Sequence, residues 1–193
     1  RVFWVLASRS FKNRRWNIEV TRMNRKEALE LLRSVGCSRQ VIQHCLAVAR
    51  KALKIAERVK ACGHPVDLRL VELGALLHDI GRAVTHDISH GVEGGKILRE
   101  RGLKELARFA ECHLGAGIPA EEARGLGLPK RDYLPTSLEE KIVAYADKLV
   151  AGSGEISYEE ARAQLEASLG QEHPAIKRLH ALHKEITKMQ EGG

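Results

Sequence analysis

From Asn24 onward, apolar side chains return every three or four positions, the period of helices that bury one face. Asn24 and Glu27 have the spacing of a capping box and open a short helix ending near Gly36. Ser38 begins a long helix whose apolar stripe is Val41, Ile42, Cys45, Val48, Ala49, Ala52, Ile55, Ala56 and Val59, and Gly63-His64-Pro65 ends it. Asp67 can cap a leucine-rich helix that runs into His78-Asp79 and stops at Gly81. After a polar loop the pattern predicts helices over residues 90–101 and 103–113, separated by Gly102. The glycine- and proline-containing stretch from Gly115 to Pro135 reads as loop with one helical turn at residues 120–124. Thr136 with Glu139 predicts a capped helix reaching Ala151, Ser157 with Glu160 predicts another, and Pro174 suits the first position of the last helix. No alternating strand pattern and no repeat is visible, so the expected fold is an all-α, single-domain helical bundle.

Charge changes this picture at one end only. The chain has 193 residues and a formal net charge of +7. Residues 1–22 contribute +5 of it through Arg1, Arg9, Lys12, Arg14, Arg15 and Arg22 against Glu19. The remaining body is near neutral and does not demand a polyanionic partner, while the basic arm would suit RNA. Both tryptophans, Trp4 and Trp16, lie in the same arm, and Met23 after it reads as an alternative initiator. The expected organisation is therefore a basic arm or extension over 1–22 and a domain over 23–193.

The apolar run from Val2 to Ala7 is too short for a signal peptide and no later segment suits a membrane span, so no membrane partner is expected. Cys37, Cys45, Cys62 and Cys112 form no CxxC pair. They read as reduced, small core residues of a cytoplasmic protein, with Cys62-Gly-His64 a turn rather than a ligand pair.

The candidate chemistry comes from polar groups on apolar faces. His44 lies between Val41 and Val48, His113 follows Leu106, Phe109 and Ala110, and Asp147 sits between Val143 and Val150 on its helix face. His78 ends a helix whose same face shows Val71, Gly74 and Ala75. A buried carboxylate without a partner costs several kcal/mol, on the order of 3–5, so Asp147 requires a cation or strong donors. One metal ion satisfies all of these groups, and the imidazole and carboxylate donors suit Mn, Fe, Co, Ni or Zn. Adjacent His78 and Asp79 can converge on one ion at a helix C-terminus, with Gly81 letting the chain turn away.

The order His44, His78-Asp79, Asp147 resembles the HD superfamily of metal-dependent phosphohydrolases over residues 38–152. His78-Asp79-Ile80-Gly81 matches its HDIG variant, most closely that of small stand-alone archaeal proteins. The resemblance implies an HD-domain bundle with its motif-bearing core at 38–152 and C-terminal helices at 157–190. His90-Gly91-Val92-Glu93-Gly94 and His113-Leu114-Gly115 match the two extra histidines of the dinuclear branch, which includes bacterial diadenosine tetraphosphate hydrolases. On that resemblance the metal ligands are His44, His78, Asp79, His90, His113 and Asp147. Asp79 would bridge two divalent transition-metal ions, with His90 and His113 on the second. Should one ion suffice, His90 is a helix-cap residue.

Arg82 stands where relatives carry lysine and would bind a phosphate oxygen, so Asp79 and Arg82 are the expected catalytic pair. Lys148 points either toward the site or into solvent. His86-Asp87 repeats the dipeptide by coincidence or in support of the centre. His173, His180 and His183 lie outside the matched region, in a segment for packing or cleft closure.

The implied activity is hydrolysis of a phosphomonoester or phosphodiester by a metal-activated hydroxide. The expected substrate is a small phosphorylated molecule of the nucleotide or RNA-end class. A di-iron oxygenase of the same superfamily and a non-catalytic nucleotide-sensing module are the alternatives. The sequence carries no sign of oligomeric state.

Overall fold

The computed structural model describes residues 23–191, and the expectations for residues 1–22 lie outside the described residues. The described chain is a helical bundle in the order α1 (Arg25–Ser34), α2 (Arg39–Ala61), α3 (Leu68–Leu77), α4 (His90–Glu100), α5 (Lys104–Cys112), α6 (Ala120–Gly125), α7 (Leu138–Lys148), α8 (Tyr158–Leu169) and α9 (Pro174–Glu191). Single 3₁₀ turns follow α3 at Ile80–Ala83 and α5 at Leu114–Ala116. The helix starts obey the expected local chemistry. Asn24 and Ser157 each complete a reciprocal capping box, Ser38 accepts from the Val41 N–H, and Asp67 accepts from those of Arg69 and Leu70. Each such cap contributes about 1 kcal/mol.

The long α2 is the spine. Its stripe from Val41 to Val59 is buried against α3 and α7, α3 also packs on α1 and α5, and α4 lies on α5. Ile42 of the expected stripe is only partly buried, and Ala47 takes a core place instead. A small satellite cluster of Val92, Ile118, Ala123, Leu128 and Tyr133 holds the 115–135 segment to the body. Three of the cysteines are buried and Cys62 is partly so; all are free thiols.

Two local expectations differ from the structure. The helix carrying Asp147 is capped by Ser137, not Thr136, and starts at Leu138. Thr136 instead donates its backbone N–H and hydroxyl to the Glu140 carboxylate, and Glu139 accepts from the Asp67 N–H. The same helix ends at Lys148 rather than Ala151. Beyond it Val150–Ala151 (β1) and Gly154–Glu155 (β2) form a tight antiparallel hairpin, with Val150 paired to Glu155. Strands of two residues are too short to register as alternation. Gly152 takes a φ of +61° in the turn, a conformation glycine adopts without penalty.

Candidate metal centre

The six sequence-predicted ligands come from five places in the chain and meet in the core. His44 comes from α2, His78 and Asp79 from the end of α3, His90 from the first position of α4, His113 from the end of α5, and Asp147 from α7. All but His44 are buried, and His78 is wholly inaccessible. His44, His78 and Asp147 form one group able to hold an ion; His78, Asp79 and His113 form another. Nε2 of His44 is 3.0 Å from Asp147 Oδ1, and Nε2 of His78 is 3.4 Å from the same oxygen. The Asp79 carboxylate faces both ways. Its Oδ1 lies 3.1 Å from His90 Nε2 and 3.4 Å from His113 Nε2, while its Oδ2 lies 3.9 Å from both His44 Nε2 and His78 Nε2.

The orientation of the rings has a common cause. Each Nδ1 lies at hydrogen-bond distance from a backbone carbonyl and, as an N–H, donates to it. His78 donates to Ala75 at 2.7 Å, His90 to Asp87 at 2.7 Å, His113 to Ala110 at 2.8 Å and His44 to Gly152 at 2.8 Å. In three of these the carbonyl belongs to the residue three positions earlier. That tautomer leaves every Nε2 as a lone-pair donor aimed at the two carboxylates, the arrangement that orients histidine toward a metal. Two atoms at the focus, His78 Nε2 and Asp79 Oδ1, are buried without any hydrogen-bond partner. Leaving such atoms unpaired costs about 1–3 kcal/mol each. A divalent cation fits this donor set and removes both deficits.

Electrostatics support the same reading. Burial disfavours ionised Asp79, yet His78, His113 and His90 outweigh it and hold its carboxyl below the ordinary range. Asp147 is likewise buried, but Lys148, His44 and His78 keep it well below the carboxylate norm. Burial pushes His113 down to about 4, which leaves its imidazole neutral as a ligand must be. His78 runs the other way: burial acts against its charged form, but Asp79 and Asp147 prevail and raise it, so without an ion the two carboxylates favour a proton on this ring.

Two cations rim the cluster. Arg82 places Nε 2.6 Å from Asp79 Oδ2, and Lys148 places Nζ 2.8 Å from Asp147 Oδ2. Lys148 therefore points to the site rather than into solvent. His86 is exposed, whereas Asp87 supports the centre through the carbonyl that holds His90, with its carboxylate fixed by Ser89. His183 and His180 pair with Tyr145 and Tyr158 among α7, α8 and α9, away from the cluster.

The structure also gives Gly81 a different purpose from turning the chain. Its φ is not in the left-handed region, and it sits within the 3₁₀ turn. A Cβ there would overlap the His90 carbonyl oxygen and lie 2.5 Å from the Gly94 nitrogen. The glycine lets α4 cross the Asp79 turn closely enough for His90 to reach Asp79. Sequence reasoning also missed Gly152 as an orienting group, because a backbone carbonyl leaves no signature in residue type.

Residues 41–152 match the family described as HD domain. The chain belongs to the HD-domain family. Over 168 residues, 86% of its length, it is 50% identical to an uncharacterized protein, MJ0778, of Methanocaldococcus jannaschii, and the match spans 99% of that protein. It is also 38% identical over 164 residues to a protein of Picrophilus torridus named tRNA (cytidine(56)-2′-O)-methyltransferase, and 46% identical over 125 residues to one of the same name in Thermoplasma volcanium. These matches cover 84% and 64% of this HD-domain chain, but only 46% and 36% of the two methyltransferases. No solved structure matches the chain. Among the described residues, no helix is long and apolar enough to cross a membrane.

Proposed function

We propose that this HD-domain protein is a metal-dependent phosphohydrolase whose ligands are His44, His78, Asp79, His90, His113 and Asp147. The observation that carries the reading is the convergence on two carboxylates of the Nε2 atoms of four rings held to backbone carbonyls through Nδ1, with buried His78 Nε2 and Asp79 Oδ1 left unpaired. The two oxygens of Asp79 face the two halves of the cluster, which supports a bridging role and two ions. Divalent ions held there would acidify a water and offset charge on phosphate oxygens.

The chain's own residues do the rest. Asp79 and Asp147 stay ionised and receive positive charge, and neutral His113 keeps a lone pair available at neutral pH. Arg82 has its Nε on Asp79, so its other guanidinium nitrogens would be left to donate to a phosphate oxygen. The loop between Asp79 and His90 exposes Val84 and Ile88, apolar surface for the organic part of an ester. A nucleotide or RNA end is the substrate class best supported, since proteins named as tRNA methyltransferases contain a segment similar to this chain.

Protein purified without added metal is expected to carry about two transition-metal ions per chain by elemental analysis. It should release phosphate or open rings in a panel of nucleotides, phosphodiesters and 2′,3′-cyclic phosphates, and Asp79→Asn should abolish this. Iron with an optical signature and no phosphate release would instead favour an oxygenase. Metal-free protein that binds nucleotide without turnover would favour a sensor.

A further inference from the structure

A second site of positive charge lies away from the metal centre. Lys51, Lys54 and Arg58 stand at i, i+3 and i+7 on one face of α2, and all line a cavity of about 310 Å³ between α2, the hairpin and α9. Ile55 and Leu149 give it an apolar floor. Its lining carboxylate is Glu155 of β2, which both lysines share at 2.9 Å. Arg58 has no side-chain partner among the described residues. Three cations against one carboxylate leave the cavity with an excess of positive charge, although like charges spaced in this way disfavour the helix that carries them. Glu155 is itself exposed, so it can swing out when a stronger anion arrives.

The cavity also has a defined relation to the metal centre. Lys51 is two turns along α2 from His44, and at 1.5 Å per residue the row from Lys51 to Arg58 lies roughly 10–21 Å from that ligand. At about 3.4 Å per phosphate along one strand of a duplex, and more when the strand is extended, an oligonucleotide of several residues reaches from the metals to this row. The hairpin connects the two places, since Gly152 holds His44 and Glu155 holds the two lysines.

We propose that Lys51, Lys54 and Arg58 form a phosphate-binding site, occupied by the backbone of an RNA strand whose end lies in the metal centre, with Glu155 as its placeholder when empty. The RNA assignment rests on the phosphohydrolase reading above; the anion site itself does not. A short RNA of about ten nucleotides, titrated by fluorescence anisotropy against the 193-residue chain, reads the site. The Lys54→Met/Arg58→Met variant changes two exposed side chains outside the metal cluster. It is expected to bind this RNA about tenfold more weakly, with the slope of log K against log salt shallower by roughly 1.4, the value for two lost contacts to a single strand. Glu155→Gln is expected to move affinity the other way, upward.

If the protein hydrolyses both RNA ends and mononucleotides, the double variant should raise KM for the oligonucleotide alone and leave kcat and the mononucleotide KM unchanged. Inorganic phosphate titrated calorimetrically separates the sources. Loss of a phosphate-binding event in the variant, with RNA affinity intact, would keep the anion site and remove the strand from it. Unchanged affinity and salt slope for RNA, together with unchanged phosphate binding, would overturn the proposal. A wild-type protein with no metal and no hydrolase activity would sink the enzymatic reading, and the binding experiments would still report on the cavity.

Discussion

Gly81→Ala is the sharpest test of how the fold holds the centre, because it adds one methyl group at a buried position pressed against another helix. Ordinary van der Waals contact of a Cβ begins at 3.4 Å, whereas the added atom would lie 2.5 Å from the Gly94 nitrogen and 2.8 Å from the His90 carbonyl carbon, and closer still to the His90 oxygen. These are backbone atoms, so no rotamer change can relieve the overlap. To bring the His90 oxygen from 1.8 Å out to 3.4 Å, the N-terminus of α4 must move off the 3₁₀ turn by about 1.6 Å, and His90 moves with it. Overpacking of this kind costs about 1–3 kcal/mol, and a shift near 1 Å in a reacting constellation is worth on the order of 10²-fold in rate. In a chain of this size that destabilisation lowers Tm by roughly 2–4 °C per kcal/mol. The expected outcome is a folded, less stable protein that binds one ion nearly normally, through the group of His44, His78 and Asp147, and the other weakly. Thermal unfolding and cobalt titration read these separately. Wild-type Tm with two ions bound at wild-type affinity would refute the reasoning.

Further outcomes follow from the same geometry. His44→Ala should weaken one ion and spare the other, whereas Asp79→Asn, whose oxygens face both halves, should weaken both; equal metal stoichiometry in the two variants would contradict the bridging role. In chelator-treated protein, stability should fall as the pH drops from about 6.5 to 4. Below its ordinary 6.5 the unfolded chain protonates His113, which burial keeps neutral down to about 4 in the fold, while the contribution of His78, whose folded value is raised, is fully present below 6.5 and disappears only as the pH rises through that raised value. Urea midpoints at several pH values measure this, and a flat profile between those limits would count against a neutral buried His113. Arg108→Met should lower stability by about 1–3 kcal/mol, because buried Glu140 would keep only the donors of Thr136. Adding Glu140→Gln to that variant should recover part of the loss in a denaturation experiment.

Much of the centre was legible because its signals are local. A histidine or aspartate on an apolar helical stripe is visible in the residue order, and so were the caps at Asn24, Ser38, Asp67 and Ser157. The resemblance to HD domains then added His90, whose place at the first turn of a helix carries no apolar flank to mark it as inward. What the residue order left open was every feature that depends on where one backbone passes another. The hairpin after Asp147 is too short for a periodic pattern, and its contribution to the centre is a carbonyl.

Sequence alone thus determined the helices, the inward faces and the chemical kinds of candidate ligand, since periodicity and residue type are properties of the chain itself. Only the tertiary structure decided which ring nitrogen faces the carboxylates, that Arg82 and Lys148 are tied to Asp79 and Asp147, and that Gly81 is needed for close helix approach rather than for a turn. It also set Lys51, Lys54 and Arg58 around a cavity with Glu155, a carboxylate about a hundred residues away in sequence. Those facts arise from packing of segments remote along the chain, where backbone carbonyls and distances, not residue types, carry the information.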